Sequence, residues 1–252
     1  MWEPQGVEPL AGRPYSGTED LTVVVPARNE EERLPHCLAQ LRAQSLPSFE
    51  LIVVDSASTD RTARVAESFG ARVISLDLPG VGRARQAGFD AARGSIVAST
   101  DADALPSADW AERLIAPFRD PTVVGSFGTI RFTPDGAWER VGHALFARFQ
   151  KVNHRLGRPL CCGPNFAVRR EAFDAVGGFA AREGYPNEAE DIRLALKLQT
   201  RGRIVFLPSL VMPVSPRSVT RGRLLRYVGH HAWVYVKVCW LERRPRVLPS
   251  AP

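Results

Sequence analysis

The stretch LTVVVPARNEEERLPHCLAQL, residues 21–41, decides the fold. Its first half is an apolar run rich in β-branched residues, the composition of a strand buried on both faces, and Pro26 is expected to end it. In its second half Asn29 and Glu32 have the spacing of a capping box, and Leu34, Cys37, Leu38 and Leu41 recur on one helical face. Strand then helix is half of a βαβ unit, so the neighbouring sequence must show whether the unit repeats.

It does. FELIVVD (49–55) reads as a second strand, and the polar turn SASTD (56–60) leads into a short helix with Thr62, Val65, Ala66 and Phe69 on one side, stopped by Gly70. ARVISLD (71–77) is a third strand, GRARQAGFDAARG (82–94) a third helix with small residues on its inner face, and SIVAST (95–100) a fourth strand. Four alternations in about 80 residues predict an α/β fold, a doubly wound, mostly parallel sheet flanked by helices. Sheets of this kind bind ligands at the carboxyl ends of their strands.

Beyond residue 107 the alternation loosens. DWAERLIAPFRD (109–120) predicts a helix, TVVGSFGTIRF (122–132) a strand, GPNFAVRREAF (163–173) a strand entering a short helix, EAEDIRLALKLQTRG (188–202) a helix ended by Gly202, and RIVFLP (203–208) a late strand. Between them Trp138, Val141, Leu145, Phe149, Val152 and Leu156 form the stripe of a long amphipathic helix, expected to pack as core or as a second layer, with an acceptor or membrane surface as the alternative. We divide the chain into a flexible arm (1–20), the α/β domain (21–212) and a basic, aromatic helical tail (213–252).

Composition bounds the function. Hydrophobic residues make up 44% and charged residues 24%, ordinary for a soluble globular protein, and no apolar run approaches a bilayer-spanning length. The first twenty residues lack the basic and apolar regions of a secretion signal, so a cytoplasmic location is expected. The net charge of +6 belongs to the tail: from Arg217 onward there are eight Arg or Lys and one Glu. A nucleic-acid binder would carry a broader basic face, which argues against that partner. Aromatic residues interleaved with Arg in the tail fit two readings, a C-terminal helix that covers the domain and turns a solvated basic face outward, or peripheral contact with an anionic membrane surface. Cys37, Cys161, Cys162 and Cys239 show no C-x-x-C spacing and read as small buried side chains.

Chemistry enters at the strand ends. Asp101 and Asp103 follow the apolar run SIVA, and two like charges so close repel unless something neutralises them. A hard divalent cation such as Mg²⁺ or Mn²⁺ is suited to the task, although a solvated turn would explain the pair equally well taken alone. Asp55 ends the second strand and Pro26 to Glu30 end the first, so all of them are expected to face one crevice.

At this point the chain resembles glycosyltransferase family 2, enzymes of the GT-A fold. The resemblance runs from about Leu21 to Pro208 through VVVPARNEE, LIVVDSASTDRT, GRARQAG, STDADALP, GPNFAVRREAFDAVGGF and EDIRLALKLQTRG, in the family's order. It implies a nucleotide-sugar donor, UDP-linked by preference, and a hydroxyl acceptor of glycan or lipid-linked type. By the same resemblance Pro26, Ala27, Asn29 and Glu30 contact base and ribose, and Asp55 accepts a hydrogen bond from the base. Arg83 or Arg85 reaches the base or diphosphate. Asp103 ligates Mn²⁺ or Mg²⁺, and Asp101 contacts the sugar or ribose and supports the ion. Asp191 is implied as the general base, with Glu190 raising its basicity or orienting the acceptor, and Gly163, Pro164 and Asn165 as the sugar pocket.

Some features depart from the family. Gln86 stands where Asn is common, MPVSPRS (212–218) lacks the late histidine that many relatives use as a metal ligand, and the Q-x-x-R-W sequence of processive synthases is missing. His230 and His231 lie farther on and read as surface or core residues. A single, inverting transfer is expected. Two rivals stand beside it: a sugar-phosphate nucleotidyltransferase, which would release pyrophosphate, and a non-catalytic nucleotide-sugar binder or membrane adaptor, which would bind without turnover.

Overall fold

The computed structural model describes residues 20–133, 136–179, 189–215 and 233–241, the side chains of residues 138 and 139 apart. Seven strands form one sheet in the order β3-β2-β1-β4-β6-β5-β7. The strands are β1 (Leu21–Ala27), β2 (Glu50–Ser56), β3 (Arg72–Leu76), β4 (Ile96–Ser99), β5 (Val123–Phe132), β6 (Phe166–Arg169) and β7 (Arg203–Val214). All pairs are parallel except the two that β6 makes, with β4 and with β5.

β1 sits at the centre because it is apolar on both faces. Val23 and Val25 pack with Leu34, Leu38 and Leu41 of α1 (Leu34–Arg42), and with Trp110 of α4 (Trp110–Ile115). Val24 turns to the opposite face, where Phe89 of α3 (Val81–Ala91), Phe173 of α6 (Arg170–Ala175) and Leu194 of α7 (Glu190–Leu198) form a second core. The period of two thus separates two helical layers. α3 lies so close to the sheet that a Cβ at Gly88 would come within 2.3 Å of Val24 Cγ1, which only a residue without a side chain allows. The helix α2 (Thr62–Ser68) covers the same side as α1 and ends at Gly70, in the left-handed region at φ 72°.

Three expectations change on contact with the structure. Pro26 does not end β1: it pairs with Val54, and Ala27 with Asp55. Val24 directs its carbonyl toward the β4 side, where it accepts from Thr100, and Pro26 points the same way beyond the last β1–β4 pair, Val24 with Ser99. Its missing N–H therefore removes no ladder bond. The capping box of Asn29 and Glu32 does not form either, because α1 starts at Leu34 and the Asn29 side chain is tied to the loop after β2. The third change concerns the long helix α5 (Ala137–Arg155): Val141, Leu145, Phe149, Val152 and Leu156 are largely exposed, Phe149 meeting the Tyr235 ring along one edge, and the Trp138 side chain lies outside what is described.

The last described segment, 233–241, is helical and packs Val234, Tyr235 and Val238 with Leu160 and Ile192. β7 runs on through Val214, two residues into the expected tail. The arm (1–19), the rest of the tail (216–232 and 242–252), and with it His230 and His231, lie outside the described residues. Cys37, Cys161 and Cys162 are buried, Cys239 partly so, and all four are free thiols. Among the described residues no helix is long and apolar enough to cross a membrane.

Candidate active site

The chain runs β1, β2, β3 outward to one side, then returns to place β4 on the other side of β1. The crevice at the carboxyl ends of β1 and β4 is therefore the topological switch point. Three loops meet around it, following β1, β2 and β4.

The first two are clasped together. Asn29 sits in the left-handed region at φ 52°, donates its backbone N–H to Ser58 Oγ at 3.0 Å, and accepts the Thr59 N–H on Oδ1 at 2.8 Å. Glu30 is buried and donates its N–H to Thr62 Oγ1 at 2.8 Å. Asp55, buried as well, accepts the Ser58 N–H on Oδ1 at 3.1 Å. Pro26 and Ala27 form the buried floor between them. Asn29 is thus a clasp between loops, the role that displaced it from the helix cap.

The third loop carries the paired acids. The Asp101 carbonyl accepts from Ala104 N–H at 3.1 Å and from Cys37 Sγ at 3.4 Å, a tight turn after β4. Leu105 N–H then donates to the Pro213 carbonyl at 3.0 Å, which pins this loop to the end of β7. Burial and the neighbouring Asp101 push the Asp103 carboxyl up to about 6, opposed by the more distant Arg33.

A side chain from α3 joins this loop to α7. The Arg85 guanidinium, 4% exposed, donates from Nη2 to Asp101 Oδ1 at 2.7 Å and from Nη1 to Glu190 Oε1 at 2.5 Å. Burial works against its charge, but Asp101, Glu190 and Asp191 outweigh that and hold it cationic. Gly163 makes room for it: a Cβ there would lie 2.2 Å from Arg85 Nη2. Arg83, two residues earlier, is exposed on the outer side of the same helix. Of the two arginines expected to reach the ligand, Arg85 is the one inside the crevice.

Glu190 and Asp191 open α7, where the helix N-terminus favours acids. The preceding Ala189 adopts φ 57°, a costly conformation for alanine, and this turn delivers both carboxylates to the crevice. Asp191 Oδ1 accepts the Ile192 N–H at 2.8 Å, and the Gly163 N–H also favours its anion. Burial and Glu190 nevertheless push the Asp191 carboxyl up to about 7, against the pull of Arg85.

Asn165, expected in the sugar pocket, sits inside the fold. It is fully buried, accepts Trp110 Nε1–H at 3.0 Å, and donates both amide hydrogens, to the Thr129 and Leu210 carbonyls at 2.9 Å. Its amide donors are used in locking β5, β7 and α4 together, a structural role. Pro164 is buried beside it, and Gly163 serves Arg85. Sequence reading missed the Arg85 bridge because its partners are 16 and 105 residues away. The signal available was a pair of arginines on a helix of otherwise small, inward-facing residues.

A divalent cation fits this chemistry. Three carboxylates, Asp101, Glu190 and Asp191, act on one guanidinium, and Asp103, on the same loop as Asp101, has no ion pair among the described residues. No cluster of three or more His, Cys, Asp or Glu side chains suited to a metal is found among the described residues. An ion held by one or two aspartates and otherwise by substrate phosphates and water is the mode Mg²⁺ and Mn²⁺ commonly use.

The chain is similar to known proteins in family, sequence and fold. The family described as Glycosyl transferase family 2 matches residues 22–177. An uncharacterised glycosyltransferase of Mycobacterium tuberculosis is 38% identical over 172 residues, 67% of this chain and 76% of the relative. Glycosyltransferase AglE of Haloferax volcanii is 28% identical over 63% of this chain and 55% of its own. Among solved structures, the mannosyltransferase PcManGT of Pyrobaculum calidifontis, in complex with GDP-Man and Mn²⁺, superposes with a TM-score of 0.73 at 24% identity, over 98% of this chain and 70% of that one. Glucosyl-3-phosphoglycerate synthase of M. tuberculosis, in complex with Mn²⁺, UDP and phosphoglyceric acid, gives 0.61 at 22% identity over 94% and 87%.

Proposed function

The chain belongs to glycosyltransferase family 2 and has the GT-A fold, and from that premise we propose that it transfers a sugar from a nucleoside-diphosphate donor to a hydroxyl, with inversion and in a metal-dependent manner. The observation that carries this reading is the Arg85 bridge, which brings the first turn of α7 against the acidic loop after β4.

Asp191 acts as general base. A carboxylate with a pKa near 7 is poised to take the proton of an acceptor hydroxyl as that oxygen attacks the anomeric carbon. Glu190, held by Arg85, keeps Asp191 basic by like-charge repulsion and orients the acceptor. One in-line displacement without a protein nucleophile inverts the anomeric centre. Pro26, Ala27 and Glu30 form the nucleotide floor with Asn29 at its rim, and Asp55 accepts an N–H from the base. Asp103, supported by Asp101, holds Mn²⁺ or Mg²⁺. When bound, the ion neutralises charge on the departing diphosphate.

The neighbours hold both GDP-Man and UDP. We favour a UDP-sugar, since uracil offers one ring N–H to the one carboxylate of Asp55; guanine offers a ring N–H and an amino group together, and a GDP-sugar is the second reading. The acceptor is a glycan or lipid-linked hydroxyl, and the enzyme is cytoplasmic. A screen of UDP- and GDP-sugars for thermal stabilisation with Mn²⁺ and with chelator tests the donor, because a ligand of the folded state raises the melting temperature. Transfer with release of nucleoside diphosphate supports the proposal. Pyrophosphate release would replace it with nucleotidyl transfer, and binding without turnover with a non-catalytic role.

A further inference from the structure

Helix α5 is built inside out. Its fold-facing side carries Gln150 and Asn153, both buried: Gln150 donates to the Leu160 carbonyl at 2.9 Å, and Asn153 accepts the Tyr235 hydroxyl. Its outer side carries Val141, Leu145, Phe149, Val152 and Leu156, between 45 and 65% exposed. At 100° per residue these five span under a quarter of the helix circumference, one continuous stripe. Arg148, Arg155, Lys151 and Arg140, all exposed, follow along one flank of it. Only one acid, Glu139, lies anywhere in α5.

The segment 233–241 extends this surface. It is seated on α5 through Tyr235, whose ring meets Phe149 edge-on at 5.3 Å, and its own outer side presents Trp233, Val236, Trp240 and Leu241. The Arg158 guanidinium stacks 3.3 Å over Trp240. Aliphatic side chains beside indole rings, edged by Arg and Lys, match the layers of an anionic bilayer surface: acyl boundary, headgroup zone and phosphate. A neutral protein partner would find no counterpart for the basic edge.

We propose that the outer face of α5 and the segment 233–241 together form a docking surface for an anionic lipid bilayer, the helix lying in the interface plane. The surface is tied to the crevice. Ile192, next to Asp191, packs in the same small core as Val234 and Tyr235. Docking therefore holds the α7 side of the crevice near the headgroups, where a lipid-linked hydroxyl would arrive. That last point rests on the transferase reading; the binding itself does not.

Sedimentation of the full chain with phosphatidylcholine vesicles, with and without phosphatidylglycerol, tests the proposal. Binding is expected with the anionic vesicles, weakened by salt. The double variant Arg148→Glu/Arg155→Glu should lose binding by at least about thirty-fold, at ~1 kcal/mol per basic residue removed. The variant Leu145→Glu/Leu156→Glu should lose it by at least about ten-fold with an unchanged melting temperature, since both side chains are exposed. Asp191→Asn should bind vesicles as the wild type does, which separates docking from catalysis. Equal binding to neutral vesicles, no binding, or a solution dimer broken by the same glutamates would overturn it, the last by assigning the stripe to a second copy of the chain.

Discussion

Replacing Gly163 by alanine adds one methyl group at the most constrained point of the crevice. The new Cβ would stand 2.2 Å from Arg85 Nη2 and 2.6 Å from Cζ, where ordinary contact begins at 3.4 Å, so the guanidinium must retreat by about 1.2 Å. The tip of an arginine usually gives way at little cost. Here it is buried and held at 2.7 Å by Asp101 and at 2.5 Å by Glu190, and a retreat of that size carries at least one bond beyond hydrogen-bonding distance. A hydrogen bond to a charged group contributes about 1.5–3 kcal/mol, so losing one or both costs about 2–5 kcal/mol. For a chain of this size each kcal/mol shifts the melting temperature by roughly 2–4 °C, giving an expected fall of about 4–20 °C in a thermal melt of the unliganded protein. Gly142→Ala is the control. It sits on α5 with nothing within 4 Å of its Cβ and should gain about 0.5–1 kcal/mol of helix stability. A Gly163→Ala protein that melts within about 1 °C of the wild type and keeps full turnover would show that Arg85 is not wedged between the two acids.

Asp191→Asn should abolish transfer and leave donor binding intact in a titration with nucleotide. Its stability has a signed pH dependence. The folded Asp191 pKa of about 7 lies above the ordinary 3.8, so the folded state binds the proton more tightly and loses stability as pH rises from about 4 to about 7. The Asn variant lacks that slope and should melt higher than the wild type above pH 7; a lower melting temperature there would contradict the burial argument. Asp103→Asn should weaken nucleotide affinity in Mn²⁺ or Mg²⁺ and leave it unchanged in chelator, and an equal loss in both would remove Asp103 from the metal. Asn165→Ala leaves the Trp110 Nε1–H and the Thr129 and Leu210 carbonyls without their partner, which at about 1–3 kcal/mol per unsatisfied group should lower the urea midpoint well before any effect on KM is seen.

What was legible in the sequence follows the range of the interactions. The βαβ alternation of residues 21–100 was readable because strand and helix periods are local, and the crevice acids were readable because strand ends are. Pro26 misled because whether a proline breaks a strand depends on which neighbour its missing N–H would have faced, a fact of sheet order. Asn29 misled because its cap competes with a clasp to Thr59, thirty residues on. α5 was read correctly as amphipathic, yet periodicity shows only that a helix has two faces and not which of them the fold covers. The Arg85 bridge spans 105 residues, and no local pattern encodes it.

The bridge also divides the acids of the crevice into two kinds. Arg85 touches Asp101 and Glu190, so these two are fixed in place by a charge the chain itself supplies. It does not bond to Asp103 or Asp191, and these are the two whose carboxyls burial and a neighbouring acid push toward neutrality. On the proposed transferase reading, the charge at Asp103 would be met by a cation arriving with the donor, and the Asp191 carboxylate would take the proton of the acceptor hydroxyl. A single buried guanidinium between Asp101 and Glu190 thus aligns these two acids and leaves Asp103 and Asp191 without an ion pair to it. Lysine would be a poorer bridge, because its compact ammonium has three donors but not the planar fork by which Nη2 and Nη1 reach Asp101 and Glu190.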